Sequence, residues 1–279
     1  MTGSANGILV GYDGSRCSQE ALLWAAREAT ARRLPLTICH AWALGCTLPR
    51  HELEVQALAR EASEQVIAEG ARRGADLMGW LPVRPLLVEG SAAAALCAGS
   101  READLVVVGH RGYGGIDGQV IGSVSSQVAA CASGPVVVVR GHWRPAAGYA
   151  PGPVVVGADG SAGSRAAVEF AFDEAALHDA SVLAVCALAD APGTLGGARD
   201  LEEEFHQAID ESEKAHPGTA VQRHVAMGGA RSELLYAVKD AQLLVVGSRG
   251  RGGMPGMLLG SVVQALMSHA PCPVAVIHP

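Results

Sequence analysis

Lysine is nearly missing from this chain: Lys214 and Lys239 are the only two among 21 basic side chains, against 28 acidic ones. The formal charge is −7 and the isoelectric point about 5.8. Nucleic acid and anionic membrane surfaces are gripped by clustered Lys and Arg that neutralise phosphate. No basic cluster stands out, so neither is an expected partner. No apolar run reaches the ~18 residues that would span a bilayer. The first residues, Met1 to Asn6, lack the basic stretch and apolar segment of a secretory leader. A soluble cytoplasmic protein is expected. The seven cysteines include no C-x-x-C pair, and several sit in apolar runs. They read as buried free thiols of a reducing compartment rather than as metal or redox centres. Disorder is equally disfavoured, because 49% of the residues are apolar and only 18% charged.

What the chain does have is an internal repeat. Val10-Gly11-Tyr12-Asp13-Gly14-Ser15 returns 146 positions later as Val156-Gly157-Ala158-Asp159-Gly160-Ser161. Asp104-Leu105-Val106-Val107-Val108-Gly109 returns 138 positions later as Gln242-Leu243-Leu244-Val245-Val246-Gly247. The first copy therefore carries eight extra residues, placed around its second helix because His40-Ala41-Trp42 still follows the longer offset and Gly90 the shorter. Between the copies, Gly141 to Gly152 mixes Pro, Gly and Ala without periodicity and reads as a linker. The predicted domains are residues 1–142 and 153–279.

Each copy alternates short apolar runs with helical patterns. In the first, strands are predicted at Ile8–Tyr12, Leu36–Trp42, Val83–Val88, Leu105–Val108 and Val136–Val139. Helices are predicted at Ser18–Arg32, Glu52–Arg72, Ser91–Ser100 and Gly122–Ala132. Ala21, Leu22, Ala25, Ala26 and Ala29 share one helical face, and Ser15 or Ser18 is placed to cap it. The second copy repeats the order, with strands at Val154–Ala158, Val182–Leu188, Val221–Ala226, Leu243–Val246 and Val274–Ile277. Strands that are apolar on both faces and alternate with helices predict an α/β fold, two tandem doubly wound domains with helices on both faces of each parallel sheet.

In such sheets ligands bind beyond the carboxyl ends of the strands, where the strand order reverses. With the order 3-2-1-4-5, strands one and four flank that reversal, and the polar and glycine signals cluster after those two strands. After strand four the chain reads Gly109-His110-Arg111-Gly112, nine residues, then Gly122-Ser123. The second copy reads Gly247-Ser248-Arg249-Gly250, nine residues, then Gly260-Ser261. Glycines let backbone amides approach a phosphate, and a helix N-terminus attracts an anion. Arg111 and Arg249 can add positive charge. A single glycine loop is commonly just a turn, but the same G-x2-G-x9-G-S spacing twice at one place in the fold points to phosphate. Neither a Walker loop with its lysine nor a G-x-G-x-x-G fingerprint occurs.

These loops, the Asp-Gly-Ser strand ends, Val88-Glu89-Gly90, and the strand starts Gly134-Pro135-Val136 and Cys272-Pro273-Val274 give the chain its likeness: over its whole length it resembles a tandem universal stress protein. The resemblance implies ATP, with Mg²⁺, as the bound cofactor. It places Asp13, Ala41, Gly109, Gly112, Gly122 and Ser123 at one nucleotide site, with Arg111 as added charge. Asp159, Ala187, Gly247, Gly250, Gly260 and Ser261 stand at the other, with Arg249. Ala41 and Ala187 would meet adenine through their backbone. The implied role is a nucleotide-dependent sensor or regulator of a stress response; the alternatives are a slow ATP hydrolase and a ligand-free structural module. No catalytic residue or protein-held metal is assigned.

Several residues depart from the family pattern or have plainer readings. Asp117 could repel phosphate or help hold Mg²⁺, and Gln119-Val120-Ile121 differs from the family. Met227 stands where the first copy has Glu89, and Arg251 adds positive charge, which favours the second site. Asp13 and Asp159 could be helix caps. His40 reads as a hydrogen-bonded core residue. His110 aligns with Ser248, so it has no shared catalytic role. Trp42 and Trp80 read as core or interface.

One expectation concerns assembly. Val136–Val139 and Val274–Ile277 are apolar end strands that, left unpaired, would invite aggregation. The resemblance also suggests that the domains pair through them, with a homodimer of such pairs beyond. Cross-linking of the full chain should join the neighbourhoods of Val138 and Val276, and either half expressed alone should self-associate. A stable monomeric half in sedimentation would remove the proposed driving force.

Overall fold

In the computed structural model of the chain the described residues are 7–43, 52–112, 121–140, 152–190, 195–251 and 258–278. Asp117, Gln119, Val120, Cys46 and most of the proposed linker lie outside them. The chain divides into two compact units, Met1–Val139 and Arg140–Pro279.

The first unit runs β1 (Ile8–Gly11), α1 (Arg16–Arg32), β2 (Leu36–Trp42), α2 (Glu52–Met78), β3 (Val83–Glu89), α3 (Ala92–Gly99), β4 (Leu105–Gly109), α4 (Ser123–Cys131) and β5 (Val136–Val139). Its strands pair in the order β3-β2-β1-β4-β5, every pair parallel. The second unit repeats this with β6 (Val154–Gly157), α5 (Ala162–Leu177), β7 (Val182–Ala187), α6 (Leu195–Ala215), β8 (Val221–Ala226), α7 (Ala230–Ala237), β9 (Leu243–Gly247), α8 (Ser261–His269) and β10 (Val274–Ile277). The order is β8-β7-β6-β9-β10, again all parallel. A 3-10 turn, Leu188–Asp190, follows β7. The expected doubly wound topology is therefore present in both copies.

Both faces of each sheet are covered, which is why the central strands carry no alternation. Val106, Val107 and Val108 are at most 3% exposed. On one face α1 packs with α2, and on the other α3 packs with α4; α5 with α6 and α7 with α8 repeat the pattern. The face of α1 read from the sequence is the buried one: Ala21, Leu22, Ala25, Ala26 and Ala29 all point into the core. Ser15 caps the helix, its side chain accepting from the Ser18 amide at 3.2 Å, and Ser161 caps α5 in the same way. The capping role considered for Asp13 and Asp159 thus belongs to the serines two residues on.

The second helix is longer than expected, ending at Met78 rather than Arg72. Gly70 and Gly74, one inside the expected helix and one beyond its expected end, are contact points. A Cβ on Gly70 would stand 2.8 Å from the Tyr12 ring, and one on Gly74 would stand 2.8 Å from Ile38 Cδ1. The bare backbone lets α2 lie close against β2, and this packing offsets the poor helix propensity of glycine. The length difference between the copies falls where the offsets place it, with 27 residues in α2 against 21 in α6.

Two expectations need correction. Of the core and interface readings of Trp80, its 81% exposure removes the first. The cysteines are not all buried free thiols either. Cys39, Cys186 and Cys272 are buried, and burial pushes their thiols up to about 11, 11 and 12. Cys17 is only half-buried, and Cys97 is joined to Cys131 by a disulfide between α3 and α4. Those two cysteines are 34 positions apart, and only the packing of α3 on α4 brings them together.

In the second unit His216 follows α6. Its Nδ1 lies 2.9 Å from the Ser212 carbonyl and its Nε2 2.9 Å from Asp173 Oδ1. The bond to the Ser212 carbonyl, then the Asp173 carboxylate, raise its pKa above the ordinary 6.5, against a smaller opposing effect of burial. A group raised on folding stabilises the fold below its unfolded pKa and loses that contribution as pH climbs through the folded value. The stability advantage of the wild type over His216→Gln should therefore be full at pH 5.5 and shrink above about pH 6.5, as read by denaturant midpoints across pH.

Candidate functional site

In each unit a cavity lies at the carboxyl end of the sheet, between the first and fourth strands. The first, of about 440 Å³, is lined by Asp13, Ala41, Gly109, Arg111, Gly112, Gly122 and Ser123. The second, of about 480 Å³, is lined by Asp159, Ala187, Gly247, Arg249, Gly250, Gly260 and Ser261. The structure thus gathers both predicted sets, each around its own cavity. The volumes fall within the ~300–1,000 Å³ range of small-molecule sites.

The placement follows from topology. β1 ends at Gly11 opposite Cys39, so the last residues of β2 run past it and line the opening. The turn after β1 needs glycine: Gly14 has φ +82° and Gly160 +72°, a left-handed backbone that other residues resist. This turn aims the aspartate back at the loop after the fourth strand. Asp159 Oδ1 accepts from the Ser161 amide at 3.0 Å and its Oδ2 from the Arg251 amide at 2.9 Å. Asp13 Oδ1 accepts from the Ser15 amide at 3.0 Å. A Cβ on Gly112 or Gly250 would stand 2.3 or 2.4 Å from the aspartate Oδ2 of its own site. Each aspartate is therefore packed against its glycine loop and helps to set the loop's position.

The glycines divide by what they touch. A Cβ on Gly109 would lie 2.6 Å from the Cys17 carbonyl oxygen, and one on Gly247 would lie 2.8 Å from the Gly163 carbonyl carbon. Both let the end of the fourth strand approach the first helix, which is a packing role. Gly122 and Gly260 are the N-caps of α4 and α8, and neither helix has a side-chain cap. Their own amides donate to the His110 and Ser248 carbonyls at 2.7 and 3.0 Å. The amides left to meet an anion are those of the first helical turn, beginning at Ser123 and Ser261.

Each wall also has an apolar part that was not singled out in the sequence. Leu96 on α3 and Leu234 and Leu201 on α7 and α6 are buried beside the cavities. Their helical spacing marks them as core, and nothing local distinguishes a core leucine from one that floors a cavity. Glu204 on α6 is a second omission. It pairs with the Arg251 guanidinium, so the charge expected to favour the second site is already matched. α6 lies where the copies differ in length, which hides Glu204 from any comparison between them.

His40 lines the first cavity, with Nδ1 2.8 Å from the Tyr12 carbonyl oxygen. This agrees with a hydrogen-bonded residue, and its counterpart in the second copy is Cys186. His110 Nε2 lies 4.0 Å from the Cys17 sulfur. Burial, then Glu20, raise the Cys17 thiol above its ordinary value, while Arg111 opposes them. The thiol stays protonated at neutral pH, so this pair supplies no standing nucleophile. Its counterparts, Gly163 and Ser248, cannot repeat it.

The sequence profile of the universal stress protein family matches residues 6–140 and 152–278. The chain belongs to the universal stress protein family. Curated members of the family align along its length. One from Mycolicibacterium smegmatis is 37% identical, covering 98% of this chain and 97% of its own. Another, from Mycobacterium tuberculosis, is 35% identical, covering 98% and 96%. A crystal structure of a universal stress protein from Archaeoglobus fulgidus superposes with a TM-score of 0.75 at 19% identity, over 98% of this chain and 96% of that one, which shows the shared fold. A solved universal stress protein in complex with cAMP is 28% identical over 48% of this chain and 96% of its own, with a TM-score of 0.38.

The two kinds of glycine in this family member should separate on substitution. Gly109→Ala drives a Cβ into the backbone of α1 and should cost about 1–3 kcal/mol. Gly260→Ala meets nothing closer than 3.8 Å and should cost less, about 0.5–1 kcal/mol, the penalty of alanine as a poorer N-cap than glycine. Urea unfolding of the two variants checks the contrast.

Proposed function

We propose that the chain binds ATP at both cavities, with Mg²⁺, and acts as a nucleotide-dependent regulator in a stress response rather than as an efficient catalyst. The observation that carries this reading is the uncapped helix N-terminus, with its glycine loop, set beside an apolar-walled cavity in each copy. First-turn amides and the positive end of the helix dipole suit phosphate oxygens. Ser123 and Ser261 would add a hydroxyl each, and Arg111 and Arg249 line the same cavities. Leu96 and Leu234 offer the apolar surface a purine needs. Ala41 and Ala187, at the ends of the second strands, would meet the base through their backbone.

Among the described residues neither cavity gathers three metal-ligating side chains. Mg²⁺ keeps most of its waters and commonly rides on substrate phosphates, so the nucleotide itself would hold it. Phosphoryl transfer needs an oriented nucleophile and a cationic clamp. Asp159, a carboxylate at the second loop, holds backbone amides instead. Binding with negligible turnover is the behaviour this supports. In such a protein ATP shifts the balance between conformations that partners read.

Calorimetric titration of the full chain should show two ATP sites, and mass analysis of ligand released by denaturation should identify adenine nucleotide. Gly260→Val places a branched side chain at the helix N-cap and should weaken the second site alone by about tenfold to a hundredfold, the loss of one or two charge-assisted hydrogen bonds. Absence of binding, preference for GTP, or unchanged affinity in a folded variant would count against the assignment.

A further inference from the structure

The two copies differ in the helices that flank their cavities. In the first, Cys97 in the last turn of α3 and Cys131 at the end of α4 form a disulfide with Cα atoms 5.9 Å apart, a separation that disulfides ordinarily take. The bridge spans 34 positions. That stretch encloses β4 and the whole glycine loop from Gly109 to Ser123. Both bridged helices also line the cavity, α3 through Leu96 and α4 through Ser123 and Ser125. At the equivalent positions, 138 residues on, the second copy has Leu235 and His269, which cannot cross-link. Cys131 is exposed and Cys97 half-buried, so small thiols and disulfides reach the pair. Cys39, Cys186 and Cys272 are buried, and inert by comparison.

We propose that Cys97 and Cys131 are a reversible redox site that tunes ligand binding at the first cavity and leaves the second cavity insensitive. The ligand half of this rests on the nucleotide reading; the thiol chemistry does not. Oxidation proceeds by exchange with a low-molecular-weight disulfide. One protein thiolate attacks it, forming a mixed disulfide and releasing one small thiol. The other protein thiolate then attacks the protein sulfur of that bond and expels the second small thiol. The protein loses two electrons and two protons, and the small disulfide gains both. A small dithiol reverses the change. Closing the bridge fixes α3 against α4, and with them Leu96, Ser123 and Ser125 at the cavity, so the oxidised form is better organised to bind. By linkage the ligand protects the bridge from reduction to the same degree.

The test uses the full chain equilibrated with oxidised glutathione or with dithiothreitol. Alkylation after denaturation should count seven thiols in the reduced protein and two fewer in the oxidised one, with peptides mapping the loss to Cys97 and Cys131. Without nucleotide, amide exchange across Gly109–Ser123 should slow on oxidation while Gly247–Ser261 stays unchanged. In the Gly260→Val chain, which reports the first site, reduction should weaken ATP binding by about fivefold or more. Cys131→Ser, at an exposed position, should hold the affinity at the reduced level under either condition, with circular dichroism confirming the fold. A pair that stays reduced in oxidised glutathione overturns the proposal. So does a bridge that forms without altering loop exchange. Loop exchange that tracks oxidation supports the redox site even where neither form binds ATP, an outcome that would instead overturn the nucleotide assignment.

Discussion

A parallel sheet covered on both faces must send some of its crossovers to one side and some to the other, and the two neighbouring strands where the direction changes cannot both be capped by the same chain. In this protein those strands are β1 and β4, and β6 and β9 in the second copy. The helix after β1 goes to one face, while α4, after β4, goes to the other. The gap left between their carboxyl ends is the cavity. Everything placed there, from the Asp-Gly turn to the uncapped helix, is brought together by that divergence and then fixed by local contacts such as those of Asp159.

Around the gap, glycine serves three separate ends. Gly14 and Gly160 adopt a left-handed backbone that turns the chain back on itself. Gly109 and Gly247 let a strand end touch a helix. Gly122 and Gly260 leave a helix N-terminus without a side-chain cap. Only the last pair stands where the proposed nucleotide's phosphates would lie. The motif is therefore as much a packing device as a binding one, and the aspartate that accepts loop amides belongs to the same device.

The copies share this frame and differ in its trimmings. The second has Arg251 held by Glu204 beside Asp159, an exposed pair of the kind worth roughly 0–1 kcal/mol. The first has His40 on the Tyr12 carbonyl and a disulfide across α3 and α4. Identical topology with different local chemistry means that two sites in one chain need not respond to the same conditions.

The amino-acid sequence by itself determined the duplication, the strands, the doubly wound class and the strand ends that carry the glycine loops. These are read from periodicity and motif spacing, which are properties of neighbouring residues. It ended α2 at Arg72 rather than Met78, because the close packing of Gly74 on Ile38 that carries the helix on is not visible locally. It saw free thiols where Cys97 meets Cys131, and an added charge in Arg251 where Glu204 already answers it. Tertiary structure alone decided these, along with the leucines that floor the cavities and the bond between Asp159 and a loop amide 92 residues away. Each depends on which surfaces meet once the helices settle on the sheet, and local sequence carries no record of distance in space.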